Sequence, residues 1–306
     1  MDTFQFKILE EEKGERIDKF LVMKFPDYSR TFFQNLMDKE MVLVNQKSIK
    51  ANYKLRNNDV ISLQIPEPKE IEVIGEEIPL DILYEDKDVL IVNKPKGMVV
   101  HPSAGHENGT LVNAILHHCH DELSGINGEI RPGIVHRIDM DTTGSLIICK
   151  NDVAHQKIAE QIAEHTVNRI YVGLVHGRMH QEEGTIHTLI GRSPKDRKKM
   201  AVLKDQGREA ITHYKVLEQF KNAAYVEFKL ETGRTHQIRV HMSHIGHPLL
   251  GDKVYGNLKG YDYLQGQTLH AKTIGFVHPS TMEYVEFHAP MPSYFTDLLD
   301  KLRKNS

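Results

Sequence analysis

The chain has 306 residues, 40% of them apolar and 26% charged, with a formal net charge of −3. That is ordinary for a globular protein; no apolar run approaches the ~20 residues that cross a bilayer, and the acidic opening MDTFQFKILEEEKGER does not read as a secretory leader. Two cysteines, Cys119 and Cys149, make no disulfide framework and fit a reducing cytoplasm, the expected location.

Residues 1–66 read as a small domain. Ile17, Phe20 and Leu21, beside Arg16, Asp18 and Lys19, place a first helix. Ser29 can cap a second, which carries Phe32, Phe33, Leu36 and Met37. MVLVN and DVISLQI read as two short strands. Residues 67–80, drawn largely from the proline- and acid-rich run IPEPKEIEVIGEEIP at 65–79, read as a linker.

From residue 81 to 306 the pattern changes to a second, larger domain. ILYED, DVLIVNKP, SLIICKN, RIYVGLVHG, GTIHTLIG, EAITHYKVLE, AAYVEFKLE, IGFVHP and MEYVEFHAP all read as strands. One helix starts at Thr110 with Leu111, Ala114 and Ile115, and another runs from Asp152 to His165 with Ile158, Ala159 and Ile162. A third is capped by Thr235, carries Ile238, Met242 and Ile245, and stops at Gly246 before Pro248. Many strands and few helices predict an α+β fold. Its large mixed, mostly antiparallel sheet has flanking helices, and the small N-terminal α/β domain is separate.

Charge is unevenly spread. Residues 16–56 hold nine Lys or Arg against four Asp or Glu, and residues 191–208 hold seven against two, so each is locally +5. Two basic islands in an acidic chain favour a polyanionic partner over plain solvated faces. Nucleotide cradles of the GxxxxGK[ST] and GxGxxG kinds are missing. HRID at residues 136–139 lacks the glycine-rich loop, DFG and APE of a kinase. His117, His118 and His120 fan out on a helix, and His236, His241, His244 and His247 lack an acid at HExxH spacing, so no metal is expected.

Two stretches carry the chemistry. GIVHRIDMDTTG, residues 133–144, places Asp139 just before a strand. LETGRTHQIRVHMSHIGHPLLGDKVYG, residues 230–256, places Arg239 about one turn into a helix, where it can pair with that carboxylate. From spacing alone Asp139 is either a nucleophile or base, or half of a salt bridge that ties strand to helix.

GIVHRIDMDTTG, RIYVGLVHG, GRSPKDRKKM and TGRTHQIRVHMSHIGHPLLGD together, in this order, resemble the pseudouridine synthases of the RluA and RluD family. NKPKGMVVHPS is similar to the start of that family's catalytic domain. The likeness spans about Ile82 to Pro290. The N-terminal piece resembles the αL RNA-binding domain attached to many such synthases, although the family usually has glycine where this chain has Glu40, Gln46 and Asn58.

The resemblance implies that uracil is detached from ribose, turned and rejoined through C5. The atoms balance, so it implies neither cofactor nor metal. Asp139 would be the catalytic residue, Tyr171 would stack on the uracil and could share in a proton transfer, and Arg239 would hold Asp139 ionised and aimed. Without the likeness, Tyr171 reads as a core tyrosine. Arg137 would fill the gap left by a flipped base, with His136 beside it. Arg192, Lys195, Arg197, Lys198 and Lys199 would follow phosphates near the site, and Arg30 and Lys54 would hold RNA from the N-terminal domain. The implied partner is large-subunit ribosomal RNA or a precursor ribosomal particle; nothing in the sequence demands an oligomer, so a monomer is expected. Transfer RNA is the nearest rival substrate. A non-catalytic RNA-binding assembly factor is the rival of another class, and the intact set of Asp139, Tyr171 and Arg239 argues against it.

Overall fold

The computed structural model describes residues 2–26, 28, 30–65, 73–103, 105–119, 123–124, 132–196, 199–256 and 260–306. Ser29, His120, Arg197, Lys198 and the first part of the expected linker lie outside them. The chain divides into two compact units, residues 1–71 and 72–306.

The smaller unit pairs β1 (Asp2–Lys7), β4 (Val60–Ile65), β2 (Val42–Val44) and β3 (Lys47–Ser48) in that order. The helices α1 (Ile17–Lys24) and α2 (Arg30–Asp38) accompany this sheet. Ile17, Phe20, Leu21, Phe33, Leu36, Val42, Ile61 and Leu63 share one core, the faces that period 3.6 and period 2 select. Strand β1 was not foreseen. Its register, Phe4 opposite Leu63 and Phe6 opposite Ile61, follows a period-2 pattern in DTFQFK that its acidic surroundings conceal. Glu40, Gln46 and Asn58 have φ of 57°, 64° and 65°, so the turns keep the left-handed geometry that glycine would adopt more easily.

The larger unit is built on a ten-stranded sheet. It contains β5 (Ile82–Glu85), β6 (Val89–Lys94), β7 (Thr143–Cys149), β8 (Asn168–His176), β9 (Glu183–Arg192), β10 (Met200–Leu203), β11 (Arg208–Gln219), β12 (Ala223–Leu230), β13 (Leu269–Val277) and β14 (Tyr284–His288). The path is β10-β9-β11-β12-β8-β13-β7-β6-β5, with β14 on β13. Every pairing is antiparallel except β13 with β7. The helices are α3 (Leu111–Cys119), α4 (Asp152–Ala163), α5 (Gln237–His244) and α6 (Ser293–Lys304). No described helix is long and apolar enough to cross a membrane.

Local chemistry explains the helix starts. Thr110 and Asn113 cap α3 reciprocally: the Asn113 N–H donates to Thr110 Oγ1 at 3.3 Å and the Thr110 N–H to Asn113 Oδ1 at 3.0 Å. Asn151 Oδ1 accepts the Ala154 N–H at the start of α4. Residues 73–80, which composition reads as linker, form no helix or strand yet pack on the larger unit. Val73 and Leu80 contact its main core, and Asn113 Nδ2 donates to the Ile74 carbonyl at 2.8 Å.

Strand β7 is buried along its whole length, as its run LIIC suggests. It runs parallel to β13 from His270 opposite Thr143 and Ala271 opposite Gly144. Gly144 has φ of 112°, and a Cβ there would overlap the Ala271 carbonyl oxygen. Only glycine lets these strands meet, and their junction lies at the end of the polar run GIVHRIDMDTTG.

Candidate active site

A cavity of about 700 Å³ opens at this junction. Asp139 and Arg137 come from the loop before β7, and Arg169 and Tyr171 from β8. His236, Gln237 and Arg239 come from the start of α5, and Arg208 and Arg234 from the flanks of β11 and β12.

Arg239 is the hinge of the arrangement. Its Nη1 donates to Asp139 Oδ2 at 2.9 Å. Its Nε and Nη2 form a fork on Asp252, at 2.8 and 3.0 Å. The Asp252 side chain is fully buried, and its Oδ1 also accepts the N–H groups of Val254 and Tyr255. Burial alone would raise the Asp252 carboxyl, but the Arg239 fork and the two backbone donors outweigh it and hold the group below its usual range. Burial works against the Arg239 charge, and its bonds to Asp252 and Asp139 reverse that and raise its pKa. One arginine is thus fixed by a buried carboxylate and turns its remaining edge to the cavity carboxylate.

The helix start aims that arginine. Thr235 does not cap α5; His236 occupies the N-cap position, with φ of 58° and no capping hydrogen bond from its side chain. Gln237 does the fastening instead. Its Oε1 accepts from the Thr232 hydroxyl and the Arg234 N–H, and its Nε2 donates to the Ile211 carbonyl and Thr212 Oγ1. His236 Nδ1 lies 2.8 Å from the Tyr255 hydroxyl, and its Nε2 lies 3.7 Å from Asp139 Oδ1. The Tyr255 hydroxyl accepts the Met200 N–H, so a Tyr255 proton given to Nδ1 leaves the Nε2–H facing Asp139.

The backbone next to Asp139 is held by a lysine. Lys94 is 1% exposed and donates to the carbonyls of Pro95, Met98 and Met140, at 2.8, 2.8 and 2.9 Å. It ties β6 to the residue after Asp139. Burial pushes its pKa down to about 7, against the pull of Asp141 and Asp139. Tyr171 is 8% exposed and lines the cavity. Burial pushes its phenol up to about 12, despite Arg169 nearby, so at neutral pH it is a protonated ring that stacks or donates.

The expected RNA contacts have varied surroundings. Arg137 is exposed and lies on His101, with Nη1 at 3.3 Å from Nε2. His136 Nε2 accepts the Ile147 N–H at 2.9 Å, which ties the loop to β7. Arg192 and Lys195 are exposed at the end of β9, whereas Lys199 Nζ donates to the Val254 carbonyl at 3.0 Å. In the smaller unit Lys54 is exposed, and Arg30 shares the buried Asp18 with Arg16. Asp252, Lys94, Arg169, Arg208 and Arg234 also belong to the cavity region, although their roles are not legible in the sequence. Asp252 stood inside the quoted GHPLLGD, and its signal was an arginine due to be buried with more donors than one carboxylate can take.

The two histidine groups scatter among separate partners. His118 meets Glu85, His241 lies between Thr188 and Thr212, and His247 faces the His176 carbonyl. Among the described residues, metal-ligand spacing occurs at Asp86, Asp88 and His278. There Asp86 bonds His278 and two backbone N–H groups, and Asp88 accepts from Ser280 and Asn151.

Two of these rings predict acid lability. Burial pushes His136 down to about 3 and His241 to about 4, far below the ordinary ~6.5 of an unfolded chain. The folded state resists protonation, so their contribution is complete above about pH 6.5 and is lost as pH falls toward 4. The melting temperature is therefore expected to fall between about pH 7 and about pH 5.5, where carboxylates change little. Equal melting temperatures at both would contradict this.

An arginine-walled cavity that holds one carboxylate and a tyrosine, on a mixed sheet, suits a protein that handles an anionic substrate. Comparison with known proteins gives the particular one. Residues 88–244 match the family model described as RNA pseudouridylate synthase, and residues 15–61 match the S4 domain. The chain is 52% identical to the uncharacterized RNA pseudouridine synthase YlyB of Bacillus subtilis, covering 100% of both. It is 44% identical to the ribosomal large subunit pseudouridine synthase D of Zymomonas mobilis, covering 95% of each. The solved structure of human RNA pseudouridylate synthase domain containing 1 superposes with a TM-score of 0.56 at 26% identity, over 78% of this chain and 98% of that one. The chain belongs to the RNA pseudouridine synthase family, carries an S4 domain, and acts on RNA as an isomerase.

Proposed function

We propose that this enzyme converts uridines of large-subunit ribosomal RNA, free or in a precursor particle, to pseudouridine, working as a cytoplasmic monomer. One observation carries the reading: among the described residues Asp139 is the one carboxylate lining the cavity, and Arg239 holds it beside Tyr171. The ribosomal target is supported by relatives of the D type that match 95% of this chain.

The reaction breaks the bond from ribose C1′ to uracil N1 and makes one from C1′ to C5. N1 gains a hydrogen and C5 loses one, so the balance requires no cofactor. As N1 leaves, C1′ becomes electron-poor, and Asp139 supplies the negative charge beside it. Tyr171 gives the freed uracil a flat face on which to turn. A uridine inside folded RNA must first leave its stack. Arg137, exposed at the cavity mouth, fills the space it vacates.

Two tests bear on this reading. Large-subunit ribosomal RNA and transfer RNA incubated with the purified protein are mapped for pseudouridine. Product in the ribosomal RNA is expected, and product in transfer RNA alone would overturn the ribosomal assignment. Removal of residues 1–66 is expected to weaken RNA binding and flatten its salt dependence, because that domain adds phosphate contacts. Affinity that stays unchanged across a salt series would show that this domain is not an RNA grip.

A further inference from the structure

Arg169 lies two residues before Tyr171 on β8, so both side chains leave one face of the sheet, about 7 Å apart along the strand. It lines the cavity and is 6% exposed. Its Nη2 donates to the Glu231 carbonyl at 2.7 Å. Its Nε is buried and has no hydrogen-bond partner. Among the described residues no carboxylate forms an ion pair with it, whereas Arg239 in the same cavity has two.

A carbonyl satisfies one N–H but leaves the charge uncompensated. Burying a guanidinium in this way is costly, and native proteins hold few such donors unmet. Burial acts most strongly against the charge on Arg169; Tyr171 favours that charge and Arg234 opposes it. The fold also keeps space beside the group. A Cβ added at Gly233 would come to 2.7 Å from Arg169 Nη1, and the backbone there is not in the left-handed region. The glycine is therefore not required by the turn; it leaves the guanidinium edge open.

We propose that Arg169 is an anion subsite that receives the phosphodiester group of the target nucleotide while its base lies on Tyr171. This rests on the reading that a flipped uridine occupies this cavity. A phosphodiester against the open Nη1 edge supplies the missing negative charge and an acceptor there. A uracil carbonyl supplies an acceptor and no charge.

The test reads binding of transcribed large-subunit ribosomal RNA in the Asp139→Asn background across a salt series. Arg169→Gln is expected to weaken binding about 10- to 100-fold and to reduce the salt slope by about 0.7, the value for one phosphate on single-stranded RNA. With Asp139 intact, Arg169→Gln is expected to raise KM more than it lowers kcat. Arg169→Lys restores the slope because it restores the charge. Gly233→Ala keeps the charge, displaces Nη1 and needs no unusual backbone, so it raises KM with an unchanged melting temperature, and it stands in if Arg169→Gln fails to fold. An unchanged slope and KM with a reduced kcat would overturn the proposal and place Arg169 on the uracil. Because the slope is read without turnover, a wild type inactive on this RNA would fail the reading of the reaction and leave the slope result standing.

Discussion

Asp139→Asn is expected to make no pseudouridine while still binding RNA. Asparagine matches aspartate in shape, and its oxygen can still accept from Arg239 Nη1, which donates to Asp139 at 2.9 Å. Arg239 keeps its fork on Asp252, so no buried cation is stranded and the protein should fold. What is lost is the negative charge at the cavity floor. A group whose removal deletes the reacting charge costs about 10³-fold or more in rate. RNA affinity should hold or tighten slightly, because one charge repelling phosphate has gone. Product formation and binding measured on one preparation check this, and a variant with full turnover would remove Asp139 from the chemistry.

Asp252→Ala is the second large effect, from a residue that touches no substrate in this account. It leaves Arg239, 6% exposed, with Asp139 as its single anionic partner. Breaking a buried, hydrogen-bonded ion pair from one side costs about 3–5 kcal/mol. It also frees the guanidinium that aims Asp139, and misplacement on the scale of 1 Å costs about 10²-fold in rate. Asp252→Asn keeps an acceptor for the Val254 and Tyr255 N–H groups, so it should be milder in stability and still slow. Denaturant midpoints and kcat of the folded fraction measure both. A wild-type rate in Asp252→Ala would mean that Arg239 aims Asp139 unaided.

The legibility of this molecule in its sequence follows the range of each interaction. The strands read from period-2 runs are present, and Gly144, the last residue of the quoted polar run, lies within β7. Three strands escaped: β1 because acidic residues surround it, β3 because it has two residues, Lys47 and Ser48, and β10 because its four residues, MAVL, lie inside a basic island. Helix α6 carries Phe295, Leu298 and Leu299 on one buried face, a pattern within reach of periodicity but beyond the stretch that carried the resemblance. The start of α5 misled because Thr235 looks like a cap, while a long-range bond set around Gln237 decides the turn. Asp139, Tyr171 and Arg239 were readable through the quoted segments and do share one cavity. Asp252, Lys94 and Arg169 were not, since each is defined by partners from distant segments: Asp252 by Arg239, Lys94 by the Met140 carbonyl, and Arg169 by Glu231.

The central claim is that Asp139 drives transfer of the glycosidic bond from N1 to C5. Ribosomal RNA carrying tritium at uracil C5, incubated with wild type and with Asp139→Asn, tests it directly. Tritium release by wild type alone is expected, because C5 must shed its hydrogen when C1′ bonds there. Equal release by both proteins, or none by wild type from free RNA and from precursor particles, would contradict it.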